Sequence, residues 1–153
     1  VKENLIDLED TLTNDYIHSA DSINFCWEIP NLCPFGAVSF QRLFNTTIAQ
    51  VLAGIIERDI IVDGDDLMVN AKFIGSDKKV HEQGKVSVSI TYSKDTVALG
   101  HTGININAGD KAPGFAYSSE LTDHEAHAFM TKVIDLFNSE VKDQWIATTK
   151  IIT

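Results

Sequence analysis

Apolar residues recur at spacings of three and four in two stretches of the chain. Phe40, Leu43, Phe44, Ile48, Val51, Leu52, Ile55 and Ile56 form one stripe, which predicts a buried helix from about residue 38 to 56. Ala126, Phe129, Met130, Val133, Ile134, Phe137 and Val141 form another over about 123–143, and Trp145 continues it. Thr122 and Glu125 precede this second stripe at the spacing of a capping box, in which each side chain satisfies a free amide of the first turn.

Between the helices the period drops to two. Val86, Val88, Ile90 and Tyr92 alternate with Lys85, Ser87, Ser89 and Thr91, and residues 101–107 alternate likewise. Ser93-Lys94-Asp95-Thr96 between them predicts a hairpin. Two short strands, 60–62 and 67–69, flank the turn signal Asp63-Gly64-Asp65. Earlier in the chain, Ile23, Phe25, Trp27 and Ile29 alternate with Asn24, Cys26 and Glu28 in a strand that ends at Pro30. The order is strands, helix, strands, helix: an α+β fold, mostly antiparallel sheet packed with two main helices on one face.

The length of 153 residues fits one domain spanning 1–153, and no repeat or Pro/Gly/Ser-rich linker divides it. The formal charge of −10, from 12 basic and 22 acidic residues without a basic block, argues against nucleic acid and against an anionic membrane surface. No apolar run approaches the roughly 18 residues that span a bilayer, and residues 1–10 lack a basic region followed by an apolar one. The expectation is a cytoplasmic protein. Cys26 and Cys33 supply neither a zinc framework nor a disulfide scaffold, and Cys26, within an apolar run, is expected to be a buried small hydrophobe.

Period two sets the candidate chemistry. If Val86, Val88, Ile90, Ile104 and Ile106 face the helices, then Lys85, Ser87, Ser89, His101, Gly103, Asn105 and Asn107 share the opposite face. Such a face is often merely solvated, but small side chains beside one lysine suit the close approach of a small anionic ligand. Other constellations are less specific. His101 with Asp66 and Glu28 makes a weak metal set, and none is expected. His124 and His127 lie off the apolar stripe, Asp7, Glu9 and Asp10 form a short acidic run, and Ser22 and Ser39 lack a nucleophile-elbow context. Arg42, at the start of the first helix, is expected to pair with Asp21 or Glu28, or to hold a ligand carboxylate.

Gly64-Asp65-Asp66-Leu67-Met68-Val69-Asn70, then Gly84 to Ile90, then Gly100-His101-Thr102-Gly103-Ile104-Asn105-Ile106-Asn107 resembles the order of motifs in biotin and lipoate protein ligases. Leu5 to Asp10, Gln41-Arg42-Leu43 and the same three stretches resemble, over most of the chain, an uncharacterised family catalogued as domain of unknown function 366. The ligase resemblance implies a class II synthetase-like fold, with ATP or an acyl-adenylate as the expected cofactor. It also implies that Lys85 is the catalytic lysine that holds the acyl carboxylate, Asp66 the turn aspartate, and Gly103-Ile104-Asn105 the following strand. A lysine ammonium there would stabilise the charge of a carboxylate attacking a phosphate. The sequence departs from the ligases in three ways: it has no Gly-Arg-Gly-Arg-type loop, has Ser87 and Ser89 where they use glycine, and has about thirteen inserted residues from Ala71 to Gln83. Three readings stay open: a ligase or acyltransferase of this fold, intact or degenerate; a non-catalytic module that binds a small anionic ligand; and a structural protein whose polar face is solvated or forms a homodimer.

Overall fold

The computed structural model describes residues 17–94 and 96–152; the acidic run at Asp7, Glu9 and Asp10 and the motif from Leu5 lie outside the described residues. The elements are β1 (Asp21–Pro30), α1 (Pro34–Ile56), β2 (Ile60–Asp63), β3 (Asp66–Val69), β4 (Phe73–Ile74), β5 (Val80–His81), β6 (Gly84–Lys85), β7 (Ser87–Lys94), β8 (Val97–Asn107) and α2 (Asp123–Thr148). All strand pairs are antiparallel, in the orders β1-β8-β7, β2-β3-β6 and β4-β5. The α+β architecture expected from the hydrophobic pattern is the one observed.

Both helices follow from local chemistry. The Thr122 hydroxyl accepts from the Glu125 amide, and the Glu125 carboxylate accepts from the Thr122 amide at 2.9 Å, so the expected capping box is formed. Helix α1 begins four residues earlier than its stripe indicates. The Cys33 thiol caps it by accepting from the Gly36 amide at 3.4 Å, Pro34 occupies the first turn, and Phe35 there is exposed and so adds nothing to the stripe. The β2–β3 turn uses Gly64 at φ 62°, a left-handed conformation that glycine adopts without cost.

Both helices contribute to one core. Phe25 meets Phe44 and Phe129 edge-on at 5.6 and 5.8 Å, and Phe40 meets Trp27 and Phe137 at 4.9 Å each. Ile48, Leu52, Leu67, Val69, Val86, Ile104, Phe129 and Val133 are fully buried. The stripe on α2 does not continue to Trp145 as a buried face: Ile134, Trp145 and Ile146 are about half exposed.

The expected phase of the central hairpin is corrected. Val86 and Ser87 are adjacent yet both fully buried, and β6 and β7 are separate strands on either side of this point. The Val86 amide bonds to the Leu67 carbonyl and the Val86 carbonyl to the Asn105 amide, so the chain passes from partner β3 to partner β8 at Val86. The Leu67 amide bonds to the Ser87 hydroxyl at 2.8 Å, a side chain standing in for a ladder carbonyl. Such a one-residue irregularity reverses the faces of everything after it. Beyond it, Ser89 pairs with Thr102 on the helix side, while Val88 and Ile90 pair with Gly103 and His101 on the outer side.

Candidate functional site

Leu67 and Val69 point into the core, so Asp66 and Met68 face outward, and Lys85 stands opposite Met68. The Lys85 ammonium meets the Asp66 carboxylate at 2.7 Å, with both side chains about one-third exposed. An ammonium has three donors, so this charge-assisted bond leaves two for another acceptor. The backbone under Lys85 is fixed, because its amide bonds to the Phe115 carbonyl and its carbonyl accepts from the Tyr117 amide.

The segment that holds Lys85 also holds the end of β8. The Asn105 side chain, itself buried, donates to the Tyr117 carbonyl at 3.3 Å, and the Asn105 carbonyl accepts from the Ser119 amide and hydroxyl. Residues 115–120 therefore bridge the diverging ends of β6 and β8 and bring Asn105 and Lys85 to one stretch of backbone.

His101 and Gly103 are on the outer side of the sheet, as expected. The His101 Nε2 lies 2.9 Å from the Asn24 Oδ1, and burial pushes the imidazole below its ordinary value because the charged form loses water. A Cβ on Gly103 would come within 3.1 Å of the same Asn24 oxygen, so the residue leaves room for that contact.

Three expectations are corrected. Ser87 and Ser89 do not share the face of Lys85. Ser87 bonds to the Leu67 amide, and Ser89 lies beneath α1, where its hydroxyl accepts from Gln41 at 3.0 Å and meets Thr102 at 3.0 Å. Arg42 is in the third turn of α1, not at its start, and pairs with neither Asp21 nor Glu28. Its guanidinium is 3.7 Å from the Asp65 carboxylate and packed under Gly64. Cys26 is exposed, not buried: in the alternation of β1 it falls with Asn24 and Glu28 on the outer side. His124 and His127 are exposed, and among the described residues no group of three His, Cys, Asp or Glu side chains is placed for a metal ion.

A cleft of about 480 Å³ that the hydrophobic pattern does not indicate is lined by Phe73, Ser76, Lys78, Tyr117, Ser118 and Glu120, among others. One wall is the inserted β4–β5 hairpin. Phe73 stacks on His81 at 5.3 Å, takes the edge of Tyr117, and covers Gly84, where a Cβ would lie 2.5 Å from its ring. Asp77 bonds to His81 at 3.1 Å and to the Lys79 amide; these bonds hold its carboxyl below the usual range. Lys78 and Glu120, on opposite walls, are both left-handed, which is uncommon for non-glycine residues. The Gly-Ser-Asp and Ala-Gly-Asp turn signals at 75–77 and 108–110 were available in the sequence, but nothing local shows that the two loops meet.

Comparison with known proteins places this geometry. A protein of unknown function from Pyrococcus horikoshi superposes with a TM-score of 0.82 at 21% identity, covering all of this chain and 76% of that one. Biotin protein ligase from Aquifex aeolicus superposes with a TM-score of 0.57 at 14% identity over 79% of this chain and 52% of the ligase. The P. falciparum protein LipL1, solved in complex with lipoate, superposes with a TM-score of 0.52 at 16% identity over 88% of this chain and 43% of its own. The fold is thus biotin/lipoate ligase-like, and the chain spans about half the length of those ligases. No curated protein sequence matches it. Residues 1–152 match the family described as Domain of unknown function (DUF366), and the chain belongs to that family.

Proposed function

We propose that this chain binds a small anionic acyl ligand, free or as its adenylate, at the outer side of the sheet where Lys85 is held by Asp66. The observation that carries this reading is the 2.7 Å ion pair, whose ammonium is partly exposed on a backbone hydrogen-bonded on both sides and keeps two donors. The ligase-like fold supports the class of ligand. Absence of a Gly-Arg-Gly-Arg-type loop from the sequence leaves a triphosphate without the guanidinium groups that would neutralise it, so a singly charged carboxylate fits Lys85 better than ATP does. The chain acts here as a binding relative of the ligases or a reduced acyltransferase. A second reading, homo-oligomeric assembly, is favoured by Tyr92 and Leu99, both over 40% exposed on the outer side of the sheet.

Thermal-shift measurements with octanoate, lipoate, biotin, their adenylates and ATP test the proposal. An acyl compound at one hundred times its dissociation constant should stabilise the protein by roughly 2.7 kcal/mol, and Lys85→Ala should abolish that gain. If no acyl compound raises the transition, or Lys85→Ala responds like the parent, the proposal fails. A dimer in light scattering that Leu99→Lys dissociates would then identify the outer face as an assembly surface.

A further inference from the structure

Cys26 and His101 are direct partners in the antiparallel pairing of β1 with β8. Directly opposed residues share a face with Cβ atoms about 4.5–5.5 Å apart, and this face is the outer one, because the alternate positions Phe25, Trp27 and Thr102 pack inward. Asn24 lies one diagonal step away, opposite Gly103. The three side chains are therefore neighbours on one patch of sheet.

Their hydrogen bonds fix the protons. The Asn24 amide nitrogen donates to the Ser22 hydroxyl at 3.0 Å, which sets the orientation of the amide and leaves its oxygen facing His101. That oxygen can only accept, so the proton of the neutral imidazole is on Nε2. Nδ1 is left with a lone pair, and no hydrogen bond to it is formed among the described residues. Burial favours this uncharged form at neutral pH. Cysteine is among the most buried residue types, yet Cys26 is exposed. Exposure beside a base is the setting in which a thiol reacts.

We propose that Cys26 is a nucleophile, with His101 as its general base and Asn24 as the positioning residue that fixes the tautomer, and that it accepts an acyl group from an activated acyl donor such as a thioester. The Cys–His–Asn order of roles is that of a thiol triad. For this step the Cys26 side chain turns toward the imidazole of its cross-strand partner, as the proposal requires. Nδ1 takes the thiol proton, and the sulfur adds to the acyl carbonyl carbon. The bond from that carbon to the donor's sulfur breaks, and the departing thiolate takes the proton back from His101. The acyl group ends on Cys26 as a thioester, with no oxidant, reductant or metal required. The class of donor rests on the acyl-binding reading of the Lys85 site; the activation of the thiol does not.

Cys33→Ser, whose hydroxyl keeps the cap of α1, leaves Cys26 as the only thiol of the full chain. In this background the rate of alkylation by iodoacetamide should be about tenfold faster at pH 6.5 than that of free cysteine, which is about 1% thiolate there. His101→Gln should remove that excess and restore the pH profile of an ordinary thiol, and Asn24→Ala should reduce it. S-octanoyl-N-acetylcysteamine should leave one octanoyl group on Cys26, seen by intact mass and peptide mapping, and His101→Gln should slow its arrival at least tenfold. Equal alkylation rates and pH profiles with and without His101, or no octanoyl adduct, overturn the proposal. Octanoate stabilising the parent and Cys26→Ser alike while no adduct forms would overturn the nucleophile and leave the Lys85 site standing. An adduct that depends on His101, in a chain that octanoate does not stabilise, would uphold the nucleophile and overturn the Lys85 seat.

Discussion

Asn45 is fully buried in the middle of α1, among aromatic and aliphatic side chains, where a bare amide would be costly. Its nitrogen donates to the Asp65 carbonyl at 2.8 Å, and its oxygen accepts from the Thr102 hydroxyl at 3.0 Å. Ser89 and Gln41 complete the group, so one amide ties α1 to the β2–β3 turn and to two strands of the sheet. Replacing it with Leu would remove the bond to the Asp65 carbonyl and take the shared acceptor from the buried Thr102 and Ser89 hydroxyls, at about 1–3 kcal/mol for a buried group left unpaired. Asn45→Leu is therefore expected to lower stability in urea unfolding by at least about 2 kcal/mol. Ser89→Ala, which leaves the Asn45–Thr102 bond intact, should cost about half of that or less. Equal stability of Asn45→Leu and the parent would contradict this account.

Elements whose formation depends on neighbours in sequence were legible, and those that depend on distant partners were not. The α2 box is entirely local, and Thr122→Ala should cost about 1 kcal/mol, roughly 2–4 °C in the melting transition of a chain this size. Glu125→Gln, which can still accept from the Thr122 amide, should cost less; a larger loss than for Thr122→Ala would show that the box is not what starts the helix. The strand from Gly84 to Lys94 shows the other case. Its alternation is unbroken on paper, but Leu67, seventeen residues before Gly84, supplies the bonds that bend it at Val86 and send Ser87 and Ser89 inward. Both serines are small polar groups of a kind that suits a ligand, and the same property fits Ser87 to the Leu67 amide and Ser89 to Gln41, Asn45 and Thr102 in the core. Lys85, before the bend, kept its expected side, as did His101 and Gly103 on the regular stretch of β8. The alternation of β1 already set Cys26 beside Asn24 and Glu28. Its pairing with His101 could be known only from the β1–β8 register.

Across the whole molecule, pH connects these local sites to stability. His101, Asp77 and Glu125 each titrate below their ordinary values in the folded chain, the first through burial and the carboxylates chiefly through hydrogen bonds. In all three cases the unfolded chain binds more protons within the window of the shift, so stability rises with pH there and is lost as pH falls. For His101 the window opens below about pH 6.5; for the carboxylates it opens only below about pH 4. The two carboxylates are on the surface, where water and salt screen their bonds, so the upper window should dominate in 0.15 M salt. Urea midpoints measured from pH 8 to 5 should fall for the parent below about pH 6.5. Relative to the parent, His101→Gln should flatten over that range while keeping the loss below pH 4. Parallel curves for the two proteins between pH 7 and 5 would mean that the imidazole is not held neutral by the fold.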